Sequence, residues 1–232
     1  MTALPSYWLS LPSPDWDEGT LQVFGQLYQQ HVASGQGGWM PGDVPVPLWS
    51  FLRWMEQHPV VFHGSGNPDI EVFEPRTPLD FSADAFSKQH AVFASGDGIW
   101  AMFYAILNRP VRFLNGALQV RQQAGWSPMH YFFSVNGAAD RTQLWREGTL
   151  YVLPKSAFQP QPPYLMQDRE ILEPQWICPH PVRPLAKIQV SPQVFPLLSQ
   201  VRFHDQQHVD FWAAQDPEGF PWLNADGTPR SL

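Results

Sequence analysis

His63 is the residue around which chemistry can most readily be built. It closes the apolar run Pro59-Val-Val-Phe62 and is followed by Gly64, Ser65, Gly66 and Asn67-Pro68. Val60, Val61 and Phe62 are strand formers and the glycines and Asn-Pro are turn signals, so the spacing predicts a short buried strand with His63 at its end. Where a strand opens into glycines, backbone can approach a ligand closely, because no Cβ holds it off. A second pair, His204 and His208, has the i, i+4 spacing of a helical zinc site. The acid inside His204-Asp-Gln-Gln-His208 is Asp, one methylene shorter than the Glu that serves as general base in such sites, and no third ligand follows. Two surface histidines and no metal are therefore expected, with a zinc enzyme kept as a rival. Cys178 has His180 two residues on, but adjacency in sequence does not make a dyad, and a structural thiol is expected. Gly96-Asp97-Gly98 lacks the spacing of a phosphate loop.

The elements that position these residues follow from periodicity. Leu21, Phe24, Leu27, Tyr28 and Val32 predict a helix over Thr20–Val32, stopped by Gly35-Gln-Gly-Gly38. A proline-rich connector spans 41–47. Leu48, Phe51, Leu52 and Met55 form the apolar stripe of a second helix ending near Gln57, with Arg53 and Glu56 outside the stripe, and this helix feeds the His63 strand and is expected to brace its base. Residues 70–75 read as a short strand or extended loop. Ala91-Val-Phe-Ala-Ser95 is the next strand, and Asp97 is placed to cap a helix whose buried face is Ile99, Met102, Phe103, Ile106 and Leu107. Strands are expected at 111–114, 129–135, 148–153 and 185–190. Helices early and short strands late favour an α+β fold over a doubly wound sheet.

Composition narrows the classes. The 232 residues suffice for a full core, and no partner is needed for folding. A net charge of −7 with 15% charged residues is not the basic footprint of a nucleic-acid binder, so no nonspecific nucleic-acid binding is expected. The single cysteine excludes an intramolecular disulfide, the start of the chain lacks a signal-peptide pattern, and no apolar run approaches the length of a membrane span, so a cytoplasmic protein away from the membrane is expected. Twenty-five prolines, scattered along the chain, limit helix length and exclude long bundles. Eleven tryptophans read chiefly as core and loop anchors.

Phe62-His-Gly-Ser65, followed some thirty residues later by Ala91-Val-Phe-Ala-Ser95 running into the aromatic helix Trp100-Ala-Met-Phe-Tyr104, resembles the ADP-ribosyltransferase-like fold, in the branch with a His-Tyr-Glu triad. The resemblance spans about 48–196 and implies a split antiparallel β-sheet core with flanking helices. On that basis the chain divides into an N-terminal helical arm and connector (1–47), an ADP-ribosyltransferase-like core (48–200) and a C-terminal extension (201–232). The chain also resembles a family of bacterial proteins of no known activity that join a helix to His-Gly-Ser and carry Trp-x5-Val-Arg-Pro-Leu, here Trp176 to Leu185.

The resemblance implies NAD as substrate and cleavage of its nicotinamide–ribose bond, with transfer to an acceptor or hydrolysis. His63 would bond the adenosine-side ribose, Gly64 would present its backbone to the nicotinamide carboxamide beside Ser65, and Tyr104, with Phe103 as substitute, would stack on the nicotinamide ring. A glutamate would stabilise the oxocarbenium-like charge. Glu173 is the first choice and Glu170 the second, whereas Gln175 at that position would supply only a neutral amide and cut or abolish transfer. Taken singly, each residue has a plainer reading: a structural histidine, a core tyrosine, solvated carboxylates. A non-catalytic binding module on the same fold, holding a protein partner through Trp- and Pro-rich surface, is the alternative from another class.

Overall fold

The computed structural model describes residues 4–41, 46–78 and 84–231, so most of the connector expected at 41–47 lies outside them. Among these residues, four α-helices and twelve strands make an α+β fold with two largely antiparallel sheets. None of the helices is long and apolar enough to cross a membrane.

α1 (Glu18–Leu27) starts at Asp17, whose carboxylate accepts from Thr20 N at 2.7 Å, and runs into a wider turn at Tyr28–Val32. α2 (Leu48–Met55) buries Phe51, Leu52 and Met55. α3 (Gly98–Ile106) is capped by Asp97, which accepts from Trp100 N at 2.7 Å. α4 (Gln206–Gln215) is capped by Asp205.

The first sheet orders its strands as β11 (Ala186–Val190), β6 (Gly148–Pro154), β1 (Val60–Ser65), β2 (Val92–Ser95), β10 (Gln175–Cys178) and β7 (Gln159–Pro160), all antiparallel. The second runs β12 (Arg202–His204), β5 (His130–Asn136), β3 (Phe113–Gln122), β9 (Arg169–Leu172) and β8 (Tyr164–Met166), with β4 (Gly125–Trp126) folded back on β3. Only β12 and β5 are parallel in this sheet. The 70–75 segment is a loop held by bridges Phe73↔Val182 and Arg76↔Ala91.

Alternation along the strands sorts the core. Val60 and Phe62 of β1, with Leu150 and Val152 of β6, face the helices, while Val61, Tyr151 and Leu153 face the other way, under Phe73 and Val182. Beyond the helices, Tyr131, Phe133 and Val135 of β5 complete the same central cluster, and the outer face of the second sheet is covered by Trp8 and Phe220. α3 is thus enclosed between two sheets, which explains why it is apolar almost all round: every residue from Gly98 to Ile106 is buried except Tyr104.

α3 is the helix that lies against β1. An ideal Cβ on Gly64 would overlap the Ala101 carbonyl oxygen and stand 2.6 Å from Ala105 N, and one on Gly148 would fall 3.1 Å from Ala105 Cα while overlapping its carbonyl. Only glycine permits that approach on both strands. α2 in turn packs on α3, Leu52 filling the space beside Gly98. The expected brace from α2 to β1 is therefore relayed by α3.

Candidate functional site

His63 ends up half-buried on the face of β1 opposite α3, its ring 4.7 Å from that of Phe73. Its Nδ1 lies 2.6 Å from the Phe93 carbonyl oxygen. A carbonyl only accepts, so Nδ1 carries the hydrogen and Nε2 is left as an acceptor. Burial, chiefly, pushes the imidazole down to about 4, against the help of that carbonyl. The side chain is a neutral ring of fixed tautomer, and among the described residues nothing bonds Nε2.

Tyr104 reaches the same end of β1 from the other side, its Cβ 3.0 Å from where a Gly64 Cβ would stand. Its hydroxyl donates to Asn115 Oδ1 at 3.0 Å, and Trp100 Nε1 donates to the same oxygen. Arg109 lies over the Tyr104 ring, 5.7 Å from the centroid, and 5.4 Å from that of Phe113. Ser65 is turned to its own loop, accepting from Asn67 N at 3.1 Å.

Phe103, by contrast, is fully buried, with Phe133 at 4.5 Å and Phe113, Trp145 and Phe195 around it. It belongs to the central core and has no free face for a ligand ring. Gly64 also has a role that the sequence did not disclose, since its missing side chain is required by α3.

The carboxylates are divided. Glu170 lies on β9 in the second sheet, where its Oε2 is 3.4 Å from Arg121 Nε in a half-exposed pair. Glu173, half-buried, sits in the link that carries the chain from β9 to β10 and bonds the Tyr164 hydroxyl, whose pKa is raised mainly by burial and further by that carboxylate. Gln175 is on β10 opposite Ser95, which is opposite Phe62, so it stands two strands, roughly 10 Å, from β1. Its Nε2 donates to Ser87 Oγ at 2.9 Å. The structure therefore puts His63, Gly64 and Tyr104 at the same end of β1 but with the His63 and Tyr104 side chains on opposite faces of the sheet, sets Gln175 two strands away level with Phe62 and Glu173 in the link before it, and takes Glu170 and Phe103 elsewhere.

The zinc pair is not formed. His204 is the last residue of β12, not part of α4, so the two histidines do not share a helix. His204 Nδ1 is 2.8 Å from Ser134 Oγ and its Nε2 is 3.3 Å from Gln206 Oε1, while His208 Nε2 lies 2.7 Å from the Arg230 carbonyl. Among the described residues no cluster of three or more metal-ligating side chains is present. Both histidines do line a hollow of about 340 Å³ between β5, β12 and the C-terminal segment, on the far side of the second sheet and apart from β1. Cys178 is buried, its thiol donating to the His180 carbonyl at 3.3 Å.

Several strongly perturbed groups lie at the N-terminus of α3. Arg53 Nη1 is 2.8 Å from Asp97 Oδ2 and 2.9 Å from Glu56 Oε2, and its Nη2 bonds the Tyr131 hydroxyl, which donates to Asp97 Oδ2 at 2.7 Å. Glu56 Oε1 accepts from Gly98 N at 2.9 Å. Arg53 and Glu56 were expected to be merely off the apolar stripe; instead they close a buried network around Asp97, which is 1% exposed.

Burial first, and Asp97 second, push Glu56 up to about 7 against the pull of Arg53. Between about 4.5 and 7 the folded chain keeps a proton that the unfolded chain has released, so this group's contribution falls as pH rises through that window. His63 acts in the opposite sense: its depressed value means stability is lost as pH falls from about 6.5 to about 4. Replacing Glu56→Gln isolates the first effect. The stability of Glu56→Gln relative to wild type should rise by about 1–3 kcal/mol between pH 5 and pH 8 in denaturant melts, and a pH-independent difference would show Glu56 to be an ordinary carboxylate.

No protein-family model matches the chain, and no curated protein or solved structure is significantly similar to it.

Proposed function

We propose that the chain is an ADP-ribosyltransferase-like protein that binds NAD at the end of β1. The observation that carries this reading is the His63 imidazole near the end of β1, held neutral with Nδ1–H on the Phe93 carbonyl and with no partner for Nε2 among the described residues. A lone acceptor fixed in direction suits a ribose hydroxyl donor, and the half-buried Tyr104 ring gives the nicotinamide an aromatic face. In the cleavage step the C–N bond to nicotinamide breaks, nicotinamide leaves with the electron pair, and a carboxylate stabilises the cationic ribose until an acceptor adds and loses its proton. Glu173 is the carboxylate proposed for that role.

A second reading, binding without turnover, is favoured by the neutral Gln175 amide opposite Ser95 and by the bond that engages Glu173 with Tyr164. Titration calorimetry with NAD, followed by an assay of nicotinamide release, separates the two. NAD binding that weakens about tenfold or more in His63→Ala, with release abolished in Glu173→Gln, is the expected result for the enzyme. Binding with no release in wild type leaves the binding module, and absence of NAD binding to the folded protein removes both readings.

A further inference from the structure

Three arginines converge on the same end of β1 and have no acidic partner among the described residues. The Arg146 guanidinium lies flat against the backbone of Gly66, directly after β1, occupying the space a side chain there would take. Its Nε is buried without a hydrogen-bond partner. Arg109 stacks over Tyr104 and Phe113, as above. Arg76 is fixed at the base of β2 by the paired backbone bonds to Ala91, at 3.1 and 3.2 Å. These side chains feel one another: Arg76 and Arg109 both oppose protonation of His63, and Arg76 and Arg146 both oppose the charge on Arg109. Among the described residues no carboxylate contributes to either environment, and none of the three appears in an ion pair.

Arg141, Arg183 and Arg202, like these three, are in no ion pair of the described residues but lie apart from one another in sequence, whereas Arg53, Arg112, Arg121 and Arg230 each meet a carboxylate. In a chain of net charge −7, with acidic groups in excess, three guanidinium groups left together without one form a locally positive site in a negative molecule. Like charges at close range repel, and an anion bound between them relieves that repulsion. Guanidinium groups present flat forks of N–H donors that match phosphate oxygens two at a time.

We infer that Arg76, Arg109 and Arg146 form a subsite for the phosphate groups of a diphosphate-bearing ligand, seated beside His63. The inference deepens the NAD reading and rests on it: the diphosphate lies between the arginines while a ribose meets His63 Nε2 and the nicotinamide meets Tyr104. The arrangement also explains why a neutral His63 is useful, since a further cation would add to a site already rich in positive charge.

Calorimetry with three probes tests the subsite: NAD, inorganic pyrophosphate, and nicotinamide riboside, which carries no phosphate. Wild type is expected to bind NAD and pyrophosphate with affinities that fall as salt is raised, and both should weaken about tenfold or more in Arg109→Gln and in Arg146→Gln. Riboside binding should be unchanged in Arg146→Gln. Arg76→Gln provides the same comparison where either of the others fails to fold, as judged by circular dichroism. NAD binding that is insensitive to salt and to every folded Gln variant would overturn the subsite and leave the NAD reading standing. Pyrophosphate binding with the expected arginine dependence, but with NAD no tighter than pyrophosphate, would support the subsite and overturn the NAD reading. A wild-type protein that binds neither would overturn both.

Discussion

An Arg53→Ala protein is expected to be less stable than wild type by about 3–5 kcal/mol, a large share of a typical total. The substitution removes the one cation in a cluster that also holds Asp97, Glu56 and the Tyr131 hydroxyl. A buried ion pair need not add net stability, because desolvating both charges is costly, but removing one partner leaves the other buried and uncompensated. Asp97 cannot turn outward to escape, because its carboxylate also caps α3 through Trp100 N and its backbone is tied to Ser95 by bonds of 2.8 and 2.9 Å. For a chain of this length the loss corresponds to a fall in Tm of roughly 6–20 °C. The deficit should be larger at pH 8 than at pH 5, since in acid the carboxylate cluster can take up a proton in place of the missing cation. Thermal melts at the two pH values decide it: a fall of under about 2 °C at both would mean that water already solvates the cluster.

Phe51→Ala should cost a comparable 3–5 kcal/mol for a different reason. Phe51 is fully buried, 5.0 Å from the Phe24 ring and stacked at 6.0 Å on Trp54, so truncation opens a cavity at the junction of α1 and α2. This loss should not depend on pH, which distinguishes it from the Arg53 case. Because α2 supports α3 through Leu52 and α3 lies directly on Gly64, the substitution is also expected to weaken ligand binding at β1 without touching the site. An unchanged melting temperature would place the Phe51 ring outside the core.

Much of this architecture was legible in the chain because it is local. The His63 strand, the Asp97 cap and the apolar α3 all rest on signals a few residues apart; the cap and the helix stand where periodicity and turn chemistry put them, while β1 runs past the expected end at His63 and pairs Gly64 and Ser65 with β6. The Arg53 network was hidden because its partners are 44 and 78 residues away, and a charged residue beside an apolar stripe ordinarily means solvent. The arginine cluster was hidden for the same reason: Arg76, Arg109 and Arg146 come from a loop, a helix end and a pre-strand turn that share no pattern. The i, i+4 spacing of His204 and His208 kept a helical zinc pair open as a rival although a local signal argued against it. Asp205 is a better cap than a helix interior residue, and a cap at 205 puts His204 outside the helix.

The two glycines beneath α3 change what a His-Gly-Ser string can be taken to mean. Gly64 is fixed by a helix backbone that any side chain would collide with, and Gly148, its counterpart on the next strand, is fixed by the same turn of helix. A chain that kept this fold but lost every ligand contact would still need both. In a search for distant relatives, a matched Gly64–Gly148 pair therefore reports that a helix is docked on two strands, whereas function must be sought in the residues that are free to vary on that scaffold: the imidazole of His63 and the three arginines.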